Sequence, residues 1–137
     1  MGKGGPLGRE VAQLVIDDDF TAKLMNDMSP ELLDFIKTKV NSFVKWDMVR
    51  FFHENPNTAD TVDSIALYAG RNVAVVEPEL RELVESGVLT SRRLNQMTIY
   101  SLSAEKIVRR LVNEFIAACD DRNFRVKAVY HIIRGMR

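Results

Sequence analysis

The stretch from Thr61 to Gly87 restricts the fold of this chain more than any other part of the sequence. It opens with TVDSIALYAG, a short helical pattern that Thr61 is placed to cap and that ends at Gly70. A second helical pattern runs from Val73 to Ser86, and Gly87 follows it directly. A glycine at that position is typical of a helix C-terminus, because it adopts the left-handed conformation without strain. Two short helices joined by a tight turn are therefore predicted.

A β-hairpin is predicted immediately after the second helix. The runs Val88–Ser91 and Thr98–Leu102 are rich in β-branched and aromatic residues, which favour strands. The residues between them, from Arg92 to Met97, are mostly polar and are expected to form the tip of the hairpin.

Further helical patterns flank this stretch on both sides. Two short apolar stripes lie within residues 10–28, and Ser29-Pro30-Glu31 has the composition of a helix start. The helix after Pro30 either breaks at Asn41-Ser42 or continues to about Glu54. Ser103 is expected to cap a helix, and the basic segment 124–137 also has helical spacing. The predicted division is a flexible tail at 1–9, an N-terminal helical extension at 10–41, a central domain at 42–103 and a C-terminal helical extension at 104–137.

The residues from Ala66 to Ser103 resemble a known family pattern at their fixed points. These points are Gly70, Val76, Leu80, Leu83, Gly87, Leu89 and Tyr100. In this pattern a glycine ends the first helix, a Leu-xx-Leu-xxx-Gly run closes the second, and an aromatic residue lies in the returning strand. The stretch is similar to the winged helix-turn-helix repressors of bacteria, of the arsenic type and the multiple-antibiotic-resistance type. The resemblance implies a mainly α fold with a small β-hairpin wing, and a non-enzymatic, dimeric transcriptional regulator that binds DNA.

In such proteins the early residues of the second helix read DNA, but here those early positions lack side-chain donors. The positions expected to face DNA include two acids, and Pro78 is expected to make the helix start late or bend. Base reading is therefore doubtful, and contact with the DNA backbone and through the wing is the predicted mode. The candidate DNA-binding residues are Arg71, Asn72, Arg81, Arg92 and Arg93.

Contact with a protein partner is the alternative function. The same helix start is apolar and acidic, which suits a protein surface better than a phosphate backbone. The candidate partner-binding residues are Val73, Ala74, Val75 and Glu77. The chain has 19 basic and 19 acidic residues, and this neutrality lowers the expectation of DNA binding without excluding it.

The flanking helices suggest two further roles. From Arg122 to Arg137 the chain carries basic residues and no acid, and a helix there would place Arg125, Lys127, His131 and Arg134 around an apolar stripe. This surface suits nucleic acid or an acidic partner, or is solvated near a helix C-terminus. A homodimer is predicted through the N-terminal helices and the helix after the wing, with a self-contained monomer as the alternative.

No catalytic, cofactor or metal site is predicted. The two histidines, His53 and His131, lie far apart, and the single cysteine, Cys119, excludes an internal disulfide and is expected to be an inert, partly buried thiol. Trp46, Met48 and Tyr68 are expected in the core, or else as the lining of a small-molecule pocket. Without a long apolar run or a signal peptide, no membrane contact and a cytoplasmic location are expected.

Overall fold

The computed structural model describes residues 28–136. The helices and strands follow in the order α1 (Pro30–Thr38), α2 (Phe43–Glu54), β1 (Ala59–Asp60), α3 (Val62–Ala69), α4 (Val73–Glu85), β2 (Leu89–Leu94), β3 (Met97–Leu102), α5 (Lys106–Ala118) and α6 (Arg122–Gly135). The predicted tail and the stripes within residues 10–27 lie outside the described part of the chain.

Short polar side chains set the starts of the first four helices. The side-chain oxygens of Ser29, Ser42, Thr61 and Asn72 each accept a hydrogen bond from a backbone N–H of the first turn. The starts predicted at Ser29 and Thr61 are confirmed. Because Ser42 caps a new helix, the break near Asn41-Ser42 is the correct one of the two options considered for this segment.

Helix α4 starts at its predicted position despite the proline within it. It begins at Val73, directly after the Asn72 cap, and continues to Glu85, so the expectation of a late start at Pro78 is wrong. Pro78 cannot donate a backbone hydrogen bond. Burial of Val76 and Leu80 on either side of Pro78 offsets that loss, because both side chains are fully enclosed in the core.

The sheet has three antiparallel strands in the order β1-β3-β2. Leu89 pairs with Leu102 and Leu94 pairs with Met97, so the hairpin is longer than predicted. Only Asn95 and Gln96 form its turn, with φ angles of 51° and 70°. Positive φ at both central residues is typical of a two-residue hairpin turn. Arg92 and Arg93 therefore lie in strand β2 and not in a loop, which corrects the prediction of a broad polar tip.

One hydrophobic core joins residues from every described helix. Phe115 of α5 is fully buried, and its ring centroid lies 5.9 Å from that of Phe35, 5.5 Å from that of Trp46 and 6.0 Å from that of Phe124. Helices α1, α2, α5 and α6 therefore meet around one aromatic cluster. Tyr68 does not join it. Its side chain is 76% exposed, so its predicted place in the core is wrong.

The last two helices follow the predicted pattern with one change. Ser103 accepts a hydrogen bond from the backbone N–H of Glu105 at 3.1 Å, but α5 begins three residues after that serine, at Lys106. Asp121 caps α6 by accepting from the backbone N–H of Asn123.

The series α2, β1, α3, α4, β2 and β3 is a winged helix-turn-helix. Helices α3 and α4 form the helix-turn-helix, joined at Gly70, whose φ is +67°. Strands β2 and β3 form the wing, and β1 pairs with β3 to complete the small sheet. Helices α1, α5 and α6 are additions to this plan at its two ends.

Candidate nucleic-acid interface

Helix α4 and the wing bring two of the predicted arginines toward one tyrosine. Tyr100 of β3 is buried, and burial raises the pKa of its phenol, with a smaller contribution from Glu77. The positive charge of Arg81 acts on the same phenol in the opposite direction. Arg93 lines a cleft of about 270 Å³ together with Glu77 and Tyr100. Arg81, Glu77 and Arg93 therefore lie around the junction of α4 with the wing.

The wing arginines are exposed, although Asp63 and Glu77 line the same cleft as Arg93. Arg92 and Arg93 belong to β2, where successive side chains point to opposite faces of the sheet. Arg93 donates a hydrogen bond to the Thr98 hydroxyl at 3.3 Å, and that oxygen is neutral. Neither these two side chains nor Arg81 forms an ion pair with a carboxylate among residues 28–136.

The negative charges of two acidic side chains of α4 are offset by a buried lysine of α2. Glu79 accepts a hydrogen bond from the Ser42 hydroxyl and lies 3.7 Å from the Lys45 ammonium nitrogen. Glu82 pairs with the same ammonium group at 2.5 Å. Lys45 is buried, and the Asn41 side-chain oxygen also accepts from it at 2.7 Å. The acidic character expected of α4 is therefore offset on the side that faces α2.

The role of Lys45 was missed in the sequence, although a signal for it exists. Lys45 shares its helical face with Val49 and Phe52, which are four and seven residues further on and fully buried. A lysine on an apolar stripe needs a carboxylate partner if it is to stay charged. The partner lies 37 residues away on another helix, so spacing within α2 does not identify it.

The other two candidate DNA contacts, Arg71 and Asn72, are already engaged within the chain. Arg71 donates from Nε to the Asp47 carboxylate at 2.7 Å, and its guanidinium group forms an ion pair with the same oxygen. The Asn72 side-chain oxygen accepts from the backbone N–H of Ala74 at 2.8 Å as the cap of α4. Both side chains are therefore already bonded to groups of this chain.

The candidate partner-binding residues differ in exposure. Val73 is partly buried and packs against the core, whereas Ala74 and Glu77 are exposed and Val75 is 47% exposed. Further apolar surface lies on α3, where Leu67 is 81% exposed and Tyr68 is 76% exposed. The Tyr68 ring lies 5.8 Å from that of Phe51.

The basic residues of α6 do not form a single charged face. Arg125 donates to the backbone carbonyls of Cys119 and Asp120. His131 is buried, and its Nε2 has no hydrogen-bond partner among the described residues. Arg134 is exposed and lies over the Tyr130 ring, 5.8 Å from its centroid. Three of the four residues predicted for this basic surface are therefore buried or in contact with other groups of the chain.

The three residues considered as pocket lining have separate positions. Trp46 lines a cavity beside α2, Met48 is fully buried in the core, and Tyr68 is exposed on α3. Within residues 28–136, no three His, Cys, Asp or Glu side chains are grouped as metal ligands would be. Over the same range, every helix is too short or too polar to cross a bilayer.

Comparison with known proteins adds one distant similarity. No protein-family model matches the chain, and no curated protein was found to match it. Among solved structures, the chain is similar to a protein from Methanosarcina mazei Go1 described as a possible transcriptional regulator. The two are 14% identical with a TM-score of 0.46, over 67% of this chain and 79% of the other. The arsenic-type and multiple-antibiotic-resistance-type resemblance stays a prediction.

Proposed function

We propose that this protein is a non-enzymatic, regulator-like winged helix that binds duplex DNA mainly through the phosphate backbone. The contacting groups are Arg92 and Arg93 of the wing and Arg81 of α4. Arg71 and Asn72 play a supporting part, because the ion pair of the first and the capping bond of the second position the start of α4.

The observation that carries this proposal is the uneven compensation of charge around α4. Lys45 offsets Glu79 and Glu82 on the side of α2, whereas the three proposed DNA-binding arginines lack carboxylate partners in the described chain. Glu77 and Asp63 are the acids that remain beside the wing, in the same cleft as Arg93. Exposed guanidinium groups without such partners suit phosphate contact, which gives affinity without base reading.

Fluorescence anisotropy of a labelled random duplex at low salt tests the proposal. We expect Arg92→Ala/Arg93→Ala to weaken binding by at least about tenfold, since two phosphate contacts are lost. Glu77→Gln is expected to strengthen it, because a repelling charge is removed. Arg110→Ala is the matched control, because Arg110 pairs with Glu31 and Glu114 on α1 and α5. Absence of binding at low salt would reject the proposal.

Protein contact through α3 and α4 is a second candidate function. The observation that favours it is the exposure of Leu67, Tyr68 and Val75, three large apolar side chains within one helix-turn-helix. With a second copy of the chain as partner, this function predicts an oligomer whose mass does not change with salt and which Val75→Asp dissociates. Ile107→Asp is the comparison variant, because Ile107 is 63% exposed on α5, the helix of the predicted dimer. Sedimentation measurements of both variants show whether the oligomer forms through α3 and α4 or through α5.

A further inference from the structure

The end of the wing presents apolar side chains to solvent. Leu94 and Met97 lie directly opposite each other at the last pair of β2 and β3, and each side chain is 49% exposed. Asn95 and Gln96 form the two-residue turn between them. Opposite residues of an antiparallel pair lie on one face of the sheet, with Cβ atoms roughly 4.5–5.5 Å apart. Leu94 and Met97, here called the wing tip, therefore form one apolar projection.

The wing tip lies on the face of the sheet that points away from the core. Side chains alternate between the two faces along a strand, and Leu89, Tyr100 and Leu102 are buried on the inner face. By the same alternation the pair of Arg92 and Ile99 shares the outer face with the wing tip. The outer face of the wing thus combines three apolar side chains with one arginine.

The charge around the wing tip is positive. Between residues 86 and 104 the chain has two arginines, both in β2, and no Asp or Glu. Asp63 and Glu77 line the cleft on the inner side of the wing, which Met97 also reaches. An apolar projection with positive charge beside it complements DNA better than it complements a second copy of the chain, because the wing of that copy carries the same charge.

We propose that the wing tip enters the minor groove of duplex DNA and inserts between two base pairs, which bends the duplex. This inference rests on the proposed function and adds the groove and the source of sequence preference. Leu and Met are among the side chains that minor-groove proteins insert in this way, and the kinks that result are roughly 20–90°. The exposed amides of Asn95 and Gln96 then face the acceptors of A·T pairs.

Insertion makes the deformability of DNA the source of sequence preference. The early positions of α4 lack the side-chain donors that read base edges. Unstacking costs least at pyrimidine–purine steps such as TA, whereas A-tracts are stiff. A wing that contacts DNA through arginines alone prefers A-tracts instead, because their narrow minor groove attracts guanidinium groups. Insertion therefore predicts tighter binding to a duplex with a TA step than to an A-tract.

Two duplexes of equal length and equal A·T content distinguish these modes. We would label both ends of duplexes of about 25 bp, one with a central TA step and one with a central A-tract, and add the full chain at low salt. Anisotropy is expected to show about fivefold tighter binding to the TA duplex. Resonance energy transfer between the ends is expected to rise, because bending brings them closer. 2-Aminopurine at the TA step should brighten, because its emission increases when stacking is lost.

Three variants test the wing tip itself. Leu94→Ser/Met97→Ser removes the apolar projection, keeps both wing arginines, and is expected to abolish the rise in energy transfer and the preference for the TA duplex. Leu94→Met/Met97→Leu keeps the apolar volume and is expected to bend DNA as the unaltered protein does. Ile107→Ser is the matched control, because Ile107 is an exposed apolar residue on α5. Thermal unfolding shows whether each variant is folded. If the serine variant is unfolded, the 2-aminopurine signal of the unaltered protein decides.

The outcomes separate insertion from DNA binding as such. Binding without a rise in energy transfer or in 2-aminopurine emission, a preference for the A-tract, or unchanged bending by the serine variant would overturn insertion and leave backbone binding intact. If sedimentation shows an oligomer that the serine variant dissociates while bending is unchanged, the wing tip contacts a second copy and the proposal is equally overturned. Absence of binding to both duplexes at low salt would reject the proposed function and this inference together.

Discussion

The buried ammonium group of Lys45 lies 2.5 Å from a carboxylate oxygen of Glu82 and joins α2 to α4. Glu79 lies 3.7 Å from the same nitrogen. One lysine thus compensates two acids of α4, the helix that we propose lies beside DNA. This pairing offsets the negative charge on the side of α4 that faces α2.

Replacing Lys45 by methionine should weaken DNA binding although Lys45 does not face the DNA. The apolar stem keeps its volume, but Glu79 and Glu82 lose their compensating charge, and we expect a two- to fivefold, roughly Coulombic, loss of affinity. The free energy of unfolding should fall by about 1–3 kcal/mol with the loss of charge-assisted hydrogen bonds. Anisotropy titration and urea unfolding measure the two effects.

The matched control for this variant removes the acids as well. In Lys45→Met/Glu79→Gln/Glu82→Gln the uncompensated charges are absent, so the affinity for duplex DNA should return to that of the unaltered protein or exceed it. Equal affinity of Lys45→Met and the unaltered protein would mean that the charge of α4 does not bear on DNA binding.

Phe115→Ala should be among the most destabilising single substitutions in the described chain. The side chain is fully buried and contacts the rings of Phe35, Trp46 and Phe124, which belong to three other helices. Its removal leaves a cavity among these helices and should lower the free energy of unfolding by about 3–5 kcal/mol. Urea unfolding tests this. Phe43→Ala, on the exposed rim of the same cluster, should have a clearly smaller effect.

The thiol of Cys119 should be slow to react at neutral pH. Burial raises its pKa to about 11, and Arg50 and Arg125 only partly oppose that effect. Because the thiolate is the reactive form, alkylation by iodoacetamide at pH 8 should be at least about tenfold slower than for an unstructured thiol with a pKa near 8.5. The rate should rise toward pH 11. Fast alkylation at pH 8 in the folded protein would contradict the burial of this side chain.

Stability should fall as the pH drops below about 6.5, the ordinary pKa of histidine. Burial lowers the pKa of His131, and the nearby charges of Lys37 and Arg134 lower it further. The unfolded chain therefore binds a proton at a higher pH than the folded chain, and acidification favours unfolding. In His131→Leu this part of the pH dependence should disappear, while His53→Gln should retain it. Thermal unfolding between pH 5 and pH 7.5 measures the difference, and identical slopes in all three proteins would refute it.

The fold was largely predictable because its signals are local. Ser29 and Thr61 are helix caps, and Gly70 and Gly87 carry positive φ at the two helix ends where a glycine was expected. The hairpin was predicted too short because its turn, Asn95-Gln96, lacks the glycine that usually marks a two-residue turn. Strand β1 has only two residues and forms by pairing with β3, which no local pattern indicates.

The candidate site was less predictable, because its charges are set by partners far along the chain. Asp47 holds Arg71 from 24 residues away, and Lys45 holds Glu79 and Glu82 from another helix. The family resemblance made the arginines of α4 and the wing candidates for DNA contact, but the ion pairs that each of them forms depend on tertiary contacts. For that reason Arg71 and Arg92 are equal candidates for DNA contact in the sequence. In the structure Arg71 is paired with Asp47, whereas Arg92 forms no ion pair with the described residues.

The salt dependence of duplex DNA binding tests the central claim most directly. We would measure the dissociation constant between about 50 and 200 mM salt for the unaltered protein, Arg92→Ala/Arg93→Ala and Arg110→Ala. The account predicts a steep linear loss of affinity with log salt, a slope reduced by about 1–2 in the wing variant, and an unchanged slope in the control. A slope that is the same in the wing variant and the unaltered protein would contradict it.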